Sequence, residues 1–148
     1  MLDPVVAEAI QRLTTRGYQP TMPRVALIEA LIARRGSVSA LDLHATLRRV
    51  HPTFGQATVY RTLEVLLACG LAQAFPDRSC EVRYAYCSAQ PHHHLLCAEC
   101  GLVLEAPTEL LVGVRQALQA QQHFTLPHEG LTLVGTCREC RVRLGQHP

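Results

Sequence analysis

The chain is 148 residues long, 48% hydrophobic and 18% charged, with a formal net charge of +2. That balance describes a globular protein of one ordinary domain or two small ones, and no apolar run is long enough to span a membrane. Seven cysteines would suit a secreted disulfide scaffold, but the first residues show no basic segment followed by an apolar one, so reduced thiols in a cytoplasm are expected. Charge is unevenly placed: residues 1–86 carry ten Arg against seven Asp and Glu, and residues 87–148 four against five. The excess permits nucleic-acid binding by the N-terminal half.

Asp3-Pro4 reads as a helix start, with Asp as N-cap and Pro in the first turn, where its missing N–H costs nothing. Val6, Ala9, Ile10 and Leu13 share one face, and Gly17 ends the helix. Thr21 heads a second helix, with Pro23 early and an apolar stripe of Val25, Ile28, Leu31 and Ile32 running to Gly36. A third helix starts at Ser39. Ser39-x-x-Asp42 resembles a capping box, and Leu43, Leu47 and Val50 are expected to face inward. His44 and His51 are read as solvated.

Pro52 to Gly55 turns the chain into a helix over 56–69, burying Val59, Leu63, Leu66 and Leu67. Ala57, Thr58, Tyr60, Arg61 and Glu64 are left facing outward. An aromatic ring, a hydroxyl and an Arg at an exposed helix start suit a recognition helix in a DNA major groove. The plain alternative is an ordinary amphipathic helix. Cys69, among leucines, reads as a small core residue. Beyond Gly70 the period changes: Leu71 to Phe75 is short and apolar, Pro76 to Ser79 is a turn, and Glu81 to Tyr86 alternates strictly. A β-hairpin is predicted, and helices followed by a hairpin make a winged helix-turn-helix. Arg78 at the tip is placed to meet phosphate, whereas Cys80 reads as a loop cysteine.

The stretch from Cys87 to Cys100 holds Cys87, His92, His93, His94, Cys97 and Cys100. Thiolate and imidazole are the ligands zinc prefers. Cys97-x-x-Cys100 is answered by Cys137-x-x-Cys140, and two such knuckles can supply four sulfurs to one tetrahedral ion. The 36 residues between them exceed the usual ribbon spacing, so something folded must lie there. Cys87 and the histidines are then left for a second, more open site. Gly101 to Ala106 reads as a strand, and Thr108 caps a helix with Leu111, Val114 and Leu118 on one side. Gly113 lowers that helix's stability by about 1 kcal/mol relative to Ala. Leu131 to Gly135 is another strand, the tail from Arg141 is expected to be loosely ordered, and His147 in it is incidental. The boundary falls between Tyr86 and His92, dividing the chain into 1–87 and 88–148. Each part is small enough that metal or oligomerisation often supplements the core.

Thr21-x-Pro-Arg24, Ala57-Thr-Val-Tyr-Arg-Thr-Leu63, His92-His-His-Leu-Leu-Cys-x-x-Cys-Gly101, Leu133-Val-Gly-x-Cys137 and Cys140 follow one another as in the ferric uptake regulator superfamily. The resemblance covers about residues 10–141. It implies an α+β fold, with an N-terminal winged helix-turn-helix domain and a small C-terminal α/β dimerisation domain. It further implies a homodimeric, metal-responsive repressor, not an enzyme, that binds two-fold symmetric double-stranded operator DNA when metal-loaded. Cys97, Cys100, Cys137 and Cys140 are implied to hold a structural zinc. Thr58, Tyr60 and Arg61 are expected to meet DNA from the recognition helix and Arg78 from the hairpin tip, with Arg24 supporting at the DNA backbone.

The second site decides which metal is sensed. Iron and peroxide sensors of this family usually carry a histidine just before the third helix, where this chain has Ser37. Members of the zinc uptake regulator subgroup typically place a cysteine at the end of the wing, where Cys87 stands. A soft thiolate with imidazoles favours tetrahedral zinc, while five or six N/O ligands favour iron or manganese. A regulatory Zn2+ on Cys87, His92 and His94 is therefore implied, with Glu105 as fourth donor and Fe2+ or Mn2+ as the alternative occupant. Zinc sensors often have Asp or His on the first wing strand, and this chain has Gln73. A further family site has Pro91 and Val112 at two of its positions, with His128-Glu129 near another, so it is degraded or rebuilt with His93. A zinc hydrolase is a distant rival, since an open three-ligand site can activate water. The His-x-Glu and His-Glu-x-x-His signatures of such enzymes are absent.

Overall fold

The computed structural model describes residues 3–34, 36–77 and 79–145, so Arg78, expected at the hairpin tip, and His147 lie outside the described residues. The chain divides into two compact units, Met1–Ala89 and Gln90–Pro148. Among the described residues no helix is long and apolar enough to cross a membrane.

In the first unit, helix α1 (Pro4–Thr15) starts as its sequence dictates: the Asp3 carboxylate accepts the Val5 N–H at 2.8 Å. Val6, Ala9 and Leu13 are buried. In α2 (Met22–Ile32) Thr21 occupies the cap position but its side chain makes no capping bond. The buried set is Ala26, Leu27, Ile28 and Leu31, while Val25 and Ile32 are only half-buried. The stripe is displaced because α1, α3, α4 and the wing all pack on α2, so its core face is wide. In α3 (Ala40–Val50) the capping box forms: Ser39 Oγ accepts the Asp42 N–H at 3.1 Å and donates to Asp42 Oδ2 at 2.9 Å. Leu43 and Leu47 are buried, but Val50 is 74% exposed because the last turn runs past the core. His44 is not solvated as expected: it is half-buried, with Nε2 2.9 Å from the Phe54 carbonyl.

Helix α4 (Gln56–Ala68) buries Val59, Thr62, Leu63 and Leu66. Leu67 instead sits at the surface, 36% exposed, one position outside the arc that faces α2 and α3. The helix is closed by Gly70, whose φ of +66° is a left-handed conformation that glycine adopts freely. The Gly70 N–H reaches the Leu67 carbonyl and the Leu71 N–H the Leu66 carbonyl. The hairpin follows as β2 (Ala72–Pro76) and β3 (Val82–Tyr86), antiparallel, with Ala74 opposite Tyr84. Its turn is built on Asp77, whose Oδ1 accepts the N–H groups of Ser79 and Glu81 and the Ser79 hydroxyl. A third strand, β1 (Val38–Ser39), pairs with β3 on its other edge. Two residues are too few to show an alternation, so this strand has no signal of its own in the sequence.

The second unit is a three-stranded sheet in the order β5-β4-β6. Its centre is β4 (His92–Cys97), the segment read from sequence only as a ligand cluster. Strand β5 (Val103–Pro107) runs antiparallel to it and β6 (Thr132–Gly135) parallel. The helix expected from Thr108 is a 3-10 turn (Thr108–Leu111) leading into α5 (Val112–Gln122). No residue of α5 is buried, and Val114, expected on its inner side, is 48% exposed. Residues 141–143, expected to be loosely ordered, instead belong to a short helix, α6 (Arg138–Arg143), which carries the buried Cys140.

Removing the α3 cap tests this account of the first unit. Ser39→Ala strands the Asp42 N–H and should lower stability by about 1 kcal/mol. That loss appears as a lower urea midpoint at unchanged slope. An unaltered midpoint would show that the capping box contributes nothing.

Candidate metal centres and recognition helix

Strand β4 ends at Cys97, and the chain turns back so that the Gly101 N–H bonds the Cys97 carbonyl and the Cys97 N–H bonds the Leu102 carbonyl. Gly101 has φ +72°, which makes the first knuckle possible. The parallel pairing of β6 with β4 sets Gly135 opposite Cys97. Cys137 therefore arrives two residues later beside the first knuckle, its N–H 3.3 Å from Cys97 Sγ. Cys137 then caps α6, whose first turn delivers Cys140. The four sulfurs of Cys97, Cys100, Cys137 and Cys140 all lie within 4.8 Å of one another, with Cys100 and Cys137 at 3.8 Å. A zinc–sulfur bond of about 2.3 Å gives a tetrahedral S–S edge of about 3.8 Å, so the donor set fits one zinc ion.

The thiols differ in acidity. Burial raises Cys97, but backbone N–H groups led by that of Cys137 outweigh it and hold the thiol down to about 6. Cys140 is pushed up to about 12 by burial and by its neighbouring thiols. At Cys100 the Leu102 N–H lowers the pKa, yet burial and the Cys97 and Cys137 thiols leave it raised. Arg143 Nη2 donates to Cys140 Sγ at 3.2 Å, a positive charge beside a group that must become thiolate on metal binding.

The opposite end of β4 carries the histidines. A strand's period of two puts His92 and His94 on one face and His93 on the other. The β4–β5 register sets Glu105 across from His94. The result is a convergent donor set: His92 Nε2 lies 3.0 Å from His94 Nε2 and 3.5 Å from Glu105 Oε1. His92 Nδ1 is 2.6 Å from the Gln90 carbonyl, which it meets as a donor, so Nε2 is left as the lone-pair nitrogen. Burial, then His92, lowers the His94 pKa, with Glu105 opposing. His93 is fully buried on the reverse face, where its Nδ1 accepts the Leu131 N–H at 3.3 Å and its Nε2 has no hydrogen-bond partner among the described residues. Burial, with Arg115 next, lowers its pKa and keeps it neutral. His128 and Glu129 are exposed, and the His128 carbonyl accepts from Arg115.

In the first unit, Cys87 follows β3 directly. Its N–H bonds the Leu71 carbonyl, and its own carbonyl accepts from Arg12 Nη1 at 2.9 Å. Arg12 carried no signal in the sequence, because both of its partners are backbone groups far along the chain. Gln73 is half-buried on β2 opposite Ala85. Cys69 is buried, and Cys80 is exposed. On α4, Ala57, Tyr60, Arg61 and Glu64 are exposed and Thr58 half-buried, as the helical period requires. Arg24 is held within its own unit, bonding the Gln19 carbonyl at 2.7 Å with its guanidinium 5.3 Å from the Tyr18 ring centroid.

Cys100 and Cys140 both lie above the ordinary thiol value, so both are protonated at neutral pH and must lose protons to bind metal. Zinc uptake by the four-cysteine cluster should therefore release at least those two protons near pH 7. Affinity should fall by at least about 100-fold per unit of acidification there. Titration calorimetry in buffers of different ionisation enthalpy measures the count, and release of fewer than two would contradict these acidities.

Residues 15–134 match the Ferric uptake regulator family. The ferric uptake regulation protein of Bacillus subtilis (strain 168) is 31% identical over 134 residues, 88% of this chain and 90% of that protein. The zinc uptake regulation protein of Mycobacterium tuberculosis (strain ATCC 25618 / H37Rv) is 30% identical over 129 residues, 87% of this chain and 99% of that protein. Among solved structures, a zinc uptake regulator complexed with zinc and DNA superposes with a TM-score of 0.68 at 26% identity, covering 96% of this chain and 95% of that one. Motif order, winged-helix unit and four-sulfur cluster thus agree with the match over most of the chain: it belongs to the Ferric uptake regulator family.

Proposed function

We propose that this protein is a zinc-sensing transcriptional repressor, working in the cytoplasm as a homodimer on a two-fold symmetric double-stranded DNA operator. In this reading Cys97, Cys100, Cys137 and Cys140 hold a structural zinc. Cys87, His92, His94 and Glu105 hold a regulatory one. The carrying observation is the chemistry around β4: His92 Nε2 has the His94 imidazole at 3.0 Å and the Glu105 carboxylate at 3.5 Å, and a cysteine stands five positions before His92 in sequence. A thiolate added to two imidazoles is a soft set that suits tetrahedral zinc. The 30% identical zinc uptake regulation protein supports the same choice. Without Cys87 the remaining donors are all N and O, which suits iron or manganese. The 31% identical ferric uptake regulation protein favours that second reading.

The DNA side rests on α4, whose exposed Tyr60 and Arg61 follow the helix start at Gln56, and on the Arg excess of the first half. A homodimer is supported by the apolar surface of the second unit, where Leu104, Leu110, Val114, Phe124 and Val134 are all exposed. Joint ligation by Cys87 and His92 would close the short chain between them and restrict how the reading helix is presented. Metal-free protein would then hold the DNA-competent arrangement only as a minor population. A coupling of about 1–3 kcal/mol is typical, and by linkage operator DNA tightens zinc binding by the same factor.

Two experiments test the parts separately. Cys87→Ser should leave a folded dimer with its four-cysteine zinc intact while abolishing zinc-dependent operator binding in a fluorescence titration. A variant that responds to zinc like the parent would remove Cys87 from the sensor and with it the choice of zinc over iron. Arg61→Ala should weaken operator binding by about 1–3 kcal/mol. If Arg61 reads a base, sequence preference relaxes; if it meets phosphate, the salt dependence flattens. Unchanged affinity at every salt concentration would exclude α4 as the reading helix.

A further inference from the structure

Arg12 lies on α1, far in sequence from both the wing and the reading helix, yet its guanidinium joins the two. Nη1 donates to the Cys87 carbonyl at 2.9 Å and Nη2 to the Gly70 carbonyl at 2.7 Å. The planar, always charged guanidinium is pre-organised as a fork, so two carbonyls can be held at a fixed separation by one side chain. Gly70 is the left-handed residue that closes α4. Cys87 is the residue that follows β3, and its N–H bonds Leu71, the residue next to Gly70.

The consequence for Cys87 is specific. The peptide group on the N-terminal side of its Cα is held by the Leu71 carbonyl, and the one on the C-terminal side by Arg12. With both flanking peptides held, the backbone torsions of Cys87 are restrained, and with them the directions that its χ1 rotamers give the thiol. The Cys87–Ser88 peptide is also where the chain leaves the hairpin.

We propose that Arg12 is a positioning residue for the Cys87 thiolate and the link that ties the sensor cysteine to the C-terminal anchor of the reading helix. This rests on Cys87 being a sensor ligand, as argued above. In the absence of Arg12 the Cys87 carbonyl is freed, the thiol samples more directions, and metal ligation constrains Gly70 and α4 less tightly. The Arg12 guanidinium bonds two backbone carbonyls and belongs to neither donor set nor to the exposed arc of α4. Its loss should therefore reduce the coupling between the two without unfolding the protein.

The test measures that coupling in the full-length dimer. Operator affinity is determined with and without zinc, and second-site zinc affinity with and without operator, for the parent, Arg12→Gln and Arg12→Lys. For the parent, zinc should strengthen operator binding. In Arg12→Gln that enhancement should fall by about 10-fold, the size typical of lost outer-shell support. The four-cysteine zinc content and metal-free operator affinity should stay as in the parent. Lysine keeps the charge but reaches one carbonyl at a time, so Arg12→Lys should fall between the two. A purely structural role would lower thermal stability and weaken operator binding equally with and without zinc, leaving the ratio untouched. A ratio equal to the parent's in Arg12→Gln, or in Arg12→Lys if the Gln variant does not fold, overturns the proposal. A parent whose operator affinity ignores zinc overturns the proposed function itself, a result distinguishable from failure of Arg12 alone.

Discussion

The side-chain alternation of one short strand constrains most of what the second unit can do. Strand β4 carries His92, His93, His94 and Cys97, and its period of two divides them between faces. His92 and His94 share a face with Glu105, delivered by antiparallel pairing with β5. At the other end, parallel pairing with β6 sets Gly135 against Cys97 and so brings Cys137 and Cys140 into reach. A one-residue slip against β5 would turn Glu105 away from the histidines, and one against β6 would carry Cys137 and Cys140 away from Cys97. Two donor sets of different softness thus depend on the register of a six-residue strand.

That dependence runs in both directions. The second unit buries few large apolar side chains, and α5 buries none. A sheet this small with so little apolar burial is marginal unaided. Four sulfurs that draw two distant knuckles together supply the missing cohesion, because the free energy of zinc binding at such a site is folding free energy. Cys140 is among the most buried residues of the unit and anchors α6, which otherwise has only six residues and charged ends.

The first unit is stabilised by ordinary means. Leu13, Leu27, Ile28, Leu31, Leu63 and Leu66 are almost fully buried between four helices, each contributing about 1.5–3 kcal/mol by removal from water. This core holds α4 so that its polar, exposed arc is set by packing rather than by loops. The wing is tied to the same core through Tyr84 and Tyr86. Arg12 adds a polar clamp at the point where core, helix end and hairpin meet.

What the sequence determined by itself was mostly governed by near neighbours. The caps at Asp3 and Ser39, the glycine stop at Gly70 and the hairpin around Asp77 each rest on contacts within a few residues. The x-x spacing of the cysteines was equally legible, because two thiols three apart can meet one ion whatever surrounds them. The tertiary structure decided the rest. Strand β4 hid behind its own histidines, since His92-His93-His94 shows no apolar alternation until partners exist on both sides. β1 is too short for any pattern, and α6 carries a cysteine two of whose partners, Cys97 and Cys100, lie on the far knuckle. Val50 and Leu67 carry an apolar period that points inward on a bare helix, yet they fall outside the arc their neighbours cover. Arg12 found two backbone carbonyls 58 and 75 residues away. Carbonyls carry no residue identity, so only the folded chain could show which of them a guanidinium would hold.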